Sequence, residues 1–221
     1  MSEQRLQRKL IGWWVLIGSV SVALFVAQET SDAPPADDTI YRYETSLLSA
    51  PYYVLILGLV LWIASGIDWR EAFALRRPPS WKQAGLLTAG VFVAMWIVAG
   101  ALDRVFGAGE EQGLDPRQIT TGDIPPFVLS ALALAVVGPI VEELTFRGLG
   151  FHLLSQFGDV AAIVVTSLAF ALAHGIVEGI PVFFVIGAAL AFVRSRTASI
   201  YPAMLMHGVF NGVQLIGGAA T

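Results

Sequence analysis

The chain contains no cysteine and few charged residues. None of its 221 residues is cysteine, and only 14% are charged. The lack of cysteine excludes disulfide bonds, thiolate nucleophiles and zinc sites with cysteine ligands. Soluble domains carry roughly 25% charged residues, so this chain has too little charge to cover a water-facing surface. Its formal net charge of -4 provides no general basic surface, and nucleic acid is therefore not an expected partner.

Long apolar runs make up most of the chain. Hydrophobic residues account for 56% of it, and the mean hydropathy is +0.70. A membrane-spanning helix needs about 20 mostly apolar residues. Seven segments fit this description: residues 10–27, 47–67, 84–102, a segment from Phe127 through Val141, and residues 160–177, 181–193 and 200–219. The sequence therefore predicts an all-α, polytopic membrane helix bundle of about seven transmembrane helices.

The first apolar segment has two interpretations. It follows Arg5, Arg8 and Lys9, as the apolar part of a removed signal peptide would. Its apolar stretch is long for a signal peptide, and a cleavage after Ala27 would place Phe25 at the −3 position, where a small residue is needed. These features favour a retained membrane anchor.

The basic residues predict the orientation in the cell membrane. With the N-terminus inside, nine of the thirteen Lys and Arg residues fall in the cytoplasmic stretches 1–9, 68–83 and 194–198. The opposite loops, 28–46 and 103–126, contain Arg42, Arg104 and Arg117. We expect a multi-pass protein with a cytoplasmic N-terminus. Residues 1–126 would form a three-span region with a basic cytoplasmic loop, and residues 127–221 the helical core of the same integral membrane domain.

Tryptophan residues lie near several predicted span ends. Their rings favour the boundary between lipid and water, so we expect an interfacial belt. It would contain Trp13, Trp14, Trp62, Trp69 and Trp81.

Ionisable and polar residues recur in three places within the C-terminal spans. Such residues are expensive in a membrane and usually mark a function. The first place has the pattern Glu-Glu-x-x-x-Arg, in which Glu143 and Arg147 are spaced to form an ion pair on one helix face, while Glu142 faces a polar cavity. The others are Phe170-x-x-x-His174 and His207-x-x-x-Asn211, which also share helix faces.

Chain geometry allows these places to form one site. If the fourth and fifth spans form an antiparallel hairpin, its turn at Gly158 lies midway between Glu142 and His174, which then stand at one depth. His207 and Asn211 follow on the last span. Two other interpretations stay open: buried polar groups that hold helices together, and a proton or ion pathway of a transporter.

In this order and membrane context, the three motifs resemble those of the CAAX protease and bacteriocin-processing family, which includes the type II CAAX prenyl endopeptidases. The resemblance covers about residues 127–215. It implies that Glu142 is the catalytic carboxylate, assisted by His174, and that His207 and Asn211 stabilise the oxyanion. Glu143, Arg147 and Phe170 would support them. We therefore predict an intramembrane endopeptidase; the alternative is a non-catalytic binding or immunity protein, or a proton-coupled transporter that uses the same cavity.

The resemblance leaves the metal and the substrate open. Metal-independent chemistry is favoured, with zinc as the alternative; its ligands would be Glu142, His174 and His207. The expected substrate is a peptide or a prenylated or otherwise lipidated protein in the bilayer, reached from the cytoplasmic side. The oligomeric state cannot be read from the sequence.

Overall fold

The computed structural model describes residues 3–30, 39–107 and 120–220, and these residues form helices and no strand. The helices are α1 (Glu3–Glu29), α2 (Tyr43–Ile63), α3 (Trp69–Ala72), α4 (Trp81–Phe106), α5 (Thr121–Phe157), α6 (Asp159–Leu172), α7 (Ile180–Thr197) and α8 (Tyr201–Ala220). Five of them (α1, α2, α4, α5 and α7) are long and apolar enough to cross a membrane. The predicted all-α polytopic bundle is confirmed. Much of the predicted loops 28–46 and 103–126 lies outside the described residues.

Local sequence signals determine where α4 begins and ends. Pro78 and Pro79 precede it, and proline disfavours a helical conformation in the residue before it. The Ser80 hydroxyl then accepts a hydrogen bond from the backbone N–H of Gln83 and caps the first turn. At the other end, Gly107 adopts a left-handed conformation and stops the helix.

Three details of the predicted spans differ in the structure. The fifth span ends at Leu172 rather than at residue 177, so His174 lies in the turn after α6. The sixth span continues as α7 to Thr197, and Arg194 is buried in that helix over the ring of Phe151 instead of lying in a loop. Predictions from hydropathy end a span at the first charge, but a guanidinium over an aromatic face is tolerated.

Trp13 does not belong to an interfacial belt. It is fully buried, and its indole N–H donates a hydrogen bond to the backbone carbonyl of Thr145 in α5 at 2.9 Å. A Cβ atom on Gly150 would lie 2.5 Å from the Trp13 ring, so α1 and α5 approach closely because position 150 has no side chain. This contact packs the first helix against the helix that carries both glutamates.

Helix α5 contains two π-helical turns. They comprise Ala133–Val137 and Leu144–Gly150, and they flank the α-helical segment Gly138–Glu143. Such turns have i to i+5 hydrogen bonding and recur at functional sites. The segment with Glu142 and Glu143 is therefore bounded on both sides by irregular helix.

Most of the described basic residues gather at one end of the bundle, which we call the basic end. The ammonium group of Lys9 donates hydrogen bonds to the carbonyls of Ile63 and Ser65, and Arg76 donates one to the carbonyl of Ala198. These bonds bring the start of α1, the α2–α4 connection and the α7–α8 turn together. The basic end contains Arg5, Arg8, Lys9, Arg70, Arg76, Arg77, Lys82, Arg194 and Arg196.

Candidate active site

A cavity of about 660 Å³ lies among the helices and contains the four residues predicted to act in catalysis. Glu142, His174, His207 and Asn211 all line it, although they come from α5, the α6–α7 turn and α8. The structure thus brings the three motifs to one place. Their role in catalysis remains a prediction.

Beside the cavity, Glu143 and Arg147 form a fully buried ion pair. The Nη1 atom of Arg147 lies 2.9 Å from Oε1 of Glu143, and neither side chain is exposed. Arg147 also donates through Nη2 to the carbonyl of Gly187 in α7. The predicted pairing therefore forms and also ties α5 to α7.

His207 lies between the two glutamates. Its Nδ1 atom is 3.0 Å from Oε1 of Glu143, and its Nε2 atom is 3.7 Å from Oε2 of Glu142. The charge partner of Glu143 is Arg147, so we assign the proton of the shorter bond to Nδ1, since an ionised carboxylate only accepts. This arrangement aims Nε2 at Glu142 and the cavity. The contact with Glu143 was not predicted.

His174 is oriented by the turn that follows α6. Its Nδ1 atom donates to the backbone carbonyl of Phe170 at 2.7 Å, because a carbonyl oxygen can only accept. The imidazole stacks on Phe183 with ring centroids 4.0 Å apart and meets the edge of Phe170 at 4.5 Å. These contacts fix the ring and leave Nε2 as the nitrogen available to a ligand in the cavity.

The turn that holds His174 depends on Gly175. Gly175 has φ +72°, and a Cβ atom there would lie 2.9 Å from the backbone carbonyl carbon of Leu24 in α1. We expect Gly175→Ala to lower the free energy of unfolding by about 1–3 kcal/mol, because the left-handed backbone and the clash both oppose a side chain. The measurement is denaturation by sodium dodecyl sulfate in mixed micelles.

Gly58→Ala is the control for that variant. Gly58 lies in α2, and an added Cβ would meet no atom within 4 Å. Alanine favours a helix over glycine, so this variant should be at least as stable as the wild type. Equal stability of both variants would contradict a structural requirement for glycine at position 175.

Asn211 is held by the first π-helical turn. Its Nδ2 atom donates a hydrogen bond to the carbonyl of Leu134 at 2.9 Å. The amide group has two N–H donors, so one remains for a group in the cavity. The irregular turn thus orients a side chain of α8.

Phe170 joins the parts of the site. The Arg147 guanidinium lies 4.4 Å from the centre of its ring, and the rings of His174 and His207 are centred 4.5 Å and 5.7 Å away. Phe170 is almost fully buried. It separates the buried ion pair from the cavity, which fits the predicted supporting position.

Sequence reasoning missed several cavity residues in the N-terminal helices. Tyr53 of α2, Leu24 of α1 and Trp96 of α4 all line the cavity. A second, smaller cavity of about 360 Å³ lies between α1, α2 and α5, and Glu142 and His174 line it as well. Tyr52 and Tyr53 both line this second space. The one signal in the sequence for these cavity residues was the pair of hydroxyl groups of Tyr52 and Tyr53 inside an apolar run.

The larger cavity reaches the end of the bundle opposite the basic end. Its outer lining includes Gln28 near the end of α1, Asp103 near the end of α4 and Gln214 in the second half of α8. The sequence placed the opening on the same side as the N-terminus. The helix directions place it at the other end, because α1, α4 and α8 all start at the basic end.

A zinc site would need three ligands gathered around one point. Within the described residues, no group of three His, Cys, Asp or Glu side chains is arranged to hold a metal ion. The Nδ1 atoms of His174 and His207 are engaged with a backbone carbonyl and a carboxylate, which leaves Nε2 of each ring facing the cavity. The metal dependence of Glu142, His174 and His207 stays a prediction.

One family model matches part of the C-terminal half of the chain. Residues 124–213 match the family model described as type II CAAX prenyl endopeptidase Rce1-like. The family resemblance predicted from the three motifs is confirmed. The matched residues contain Glu142, His174, His207 and Asn211, so the whole candidate site lies within the match.

A curated relative comes from Bacillus subtilis (strain 168) and is named "Putative membrane peptidase YdiL". It is 28% identical over 127 residues, which cover 56% of this chain and 51% of the relative. The chain thus spans about half the length of the relative it matches. No solved structure shows a significant match.

Proposed function

We propose that this protein is an intramembrane endopeptidase that hydrolyses peptide bonds in membrane-associated or lipidated substrates. The observation that carries the proposal is the convergence of Glu142, His174, His207 and Asn211 on one cavity among membrane helices. The membrane-protease family of the C-terminal half and the relative's printed name support it.

In the proposed reaction, Glu142 acts as general base. It removes a proton from a water molecule, whose oxygen attacks the carbonyl carbon of the scissile bond. Nε2 of His174 accepts a hydrogen bond from the same water and orients it. The proton on Glu142 then passes to the leaving amide nitrogen as the carbon–nitrogen bond breaks, which restores the carboxylate.

His207 and Asn211 are proposed to stabilise the negative oxygen of the tetrahedral intermediate. Asn211 offers its second amide N–H, while its first is bonded to Leu134. His207 donates through Nε2, which requires protons on both ring nitrogens, because Nδ1 is engaged with Glu143. A preorganised donor of this kind is worth about 3–4 kcal/mol in acyl transfer. Glu143, Arg147 and Phe170 hold the donors in place.

The proposed chemistry uses no metal ion. Every step above is assigned to a protein side chain, and Glu142 activates the water directly. A chelator should leave activity unchanged, and added zinc should not raise it. Loss of activity with chelator and recovery with zinc would contradict this part of the proposal.

The deciding experiment uses a randomised mixture of synthetic, lipid-modified peptides in detergent with the purified protein. Mass spectrometry would identify new peptide termini. We expect termini that form with the wild type and not with Glu142→Ala. Equal cleavage by both proteins would contradict the assigned site. No cleavage by either would favour a binding protein or a transporter, and the transporter predicts substrate flux in proteoliposomes.

A further inference from the structure

We infer that the candidate site opens to the non-cytoplasmic side of the membrane and receives a peptide segment that is exported to, or exposed on, that side. Cleavage of that segment rests on the proposed function, whereas the direction of the opening does not. The inference depends on three features: the basic end, the path of the cavity and the packing below the site.

The basic end identifies the cytoplasmic side. Nine of the thirteen Lys and Arg residues of the chain lie there. Of the other described ones, Arg147 is buried at mid-depth, while Arg42 precedes α2 and Arg104 is in the last turn of α4, at the opposite end. Short loops rich in Lys and Arg remain in the cytoplasm. Hydrogen bonds from Lys9 and Arg76 show that the basic segments meet in space. The excess of Lys and Arg residues therefore lies on one face of the folded bundle.

The cavity leads away from that face. Lys9 and Gln28 are about 19 residues apart on α1, which is roughly 28 Å along a helix axis. This distance is close to the thickness of the hydrocarbon core of a bilayer, about 30 Å. Gln28 and Gln214 are exposed and line the cavity, so its polar opening lies at the far membrane surface.

The structure is closely packed between the site and the basic end. Arg147 and Leu149 of α5 are fully buried, and so is Leu153 one turn further on. On α8, Ala203 and Met206 precede His207 on the basic side and are also buried. His207 therefore forms part of the floor of the cavity.

This direction restricts the substrate class. A prenylated C-terminus displayed in the cytoplasm would meet the closed, basic end of the bundle. A segment of an exported peptide, or an extracytoplasmic segment of a membrane protein, would meet the polar opening at Gln28, Asp103 and Gln214. The protein is thus positioned to process chains after they have crossed the membrane.

Cysteine labelling tests the direction without any need for activity. The natural chain has no cysteine, so one introduced thiol is its sole maleimide target. Gln28→Cys and Gln214→Cys would report the opening, and Lys82→Cys at an exposed position of the basic end is the matched control. Each full-length variant is treated in spheroplasts with a membrane-impermeant maleimide, and a cytoplasmic thiol protein reports leakage.

We expect the two opening variants to label at least ten-fold more than Lys82→Cys before permeabilisation, and all three to label afterwards. Labelling of Lys82→Cys alone, or of neither opening variant before permeabilisation, would overturn the inference. The same labelling pattern is expected in a Glu142→Ala background, so failure of the proposed function would not affect this result. In an active preparation, modified Gln214→Cys should lose peptide cleavage and modified Lys82→Cys should keep it.

Discussion

Replacing Glu142 with glutamine is expected to lower the rate of peptide cleavage by about 10²- to 10⁴-fold, which is the usual contribution of a general base. Glutamine has nearly the same shape but cannot take a proton from water. The Glu142 side chain is partly exposed to the cavity, so the substitution should leave the fold intact. The measurement is kcat and KM on a peptide found with the randomised mixture, together with denaturation in mixed micelles.

Glu178→Gln is the matched control for this experiment. Glu178 is an exposed carboxylate in the turn before α7 and does not line either described cavity. The control should retain full activity. If Glu142→Gln kept more than a tenth of the wild-type kcat, a different residue would have to activate the water. A change in KM alone would assign Glu142 to substrate binding instead.

Replacing Arg147 with alanine is expected to lower the free energy of unfolding by about 3–5 kcal/mol. This is the typical cost of leaving one charge of a buried ion pair without its partner. Arg147 and Glu143 have no exposed surface, and Arg147 also bonds to Gly187 and packs on Phe170. The measurement is the denaturation curve in mixed micelles.

A double variant separates charge from packing. Glu143→Gln with Arg147→Met removes both charges and keeps most of the volume, so it should recover much of the lost stability. The double variant should also reduce cleavage, because the Glu143 carboxylate holds Nδ1 of His207. If the double variant were as unstable as Arg147→Ala, the loss would come from packing and from the bond to Gly187, and the explanation based on charge would be wrong.

The sequence was sufficient to predict the helices and the convergence of Glu142, His174, His207 and Asn211 on one cavity. Long apolar runs give the helices directly, and the spacing of Glu143 and Arg147 predicts their pairing because it is local to one helix. The predicted turn at Gly158 separates α5 from α6 as expected. The remaining features involve contacts between distant parts of the chain.

Contacts between distant segments leave no recognisable pattern in the amino-acid sequence. Trp13 lies near a span end like other tryptophans, and its burial follows from the space that Gly150 leaves on α5. His207 contacts Glu143 across 64 positions of the chain, although the local partner of Glu143 is Arg147. The π-helical turns lie inside one long, mostly apolar segment, and no proline marks either of them. The direction of the cavity depends on which side of His207 is filled by neighbouring helices. The hydropathy of a sequence does not report how helices pack against one another.

The two π-helical turns of α5 have a consequence for how this helix can change in length. Each turn accommodates one residue more than the regular α pattern, so each is equivalent to an insertion that the helix has absorbed. Deletion of one residue from positions 148–150 would remove this extra residue, restore α geometry and leave the helix on both sides of the turn in place. Glu143 and Arg147 would keep their spacing of four residues, so their ion pair would remain. Deletion of one residue within the α-helical segment Gly138–Glu143 has no extra residue to remove and would turn one part of the helix by about 100° relative to the other. A single deletion should therefore be tolerated better in the π-helical turn than in the segment that carries the glutamates.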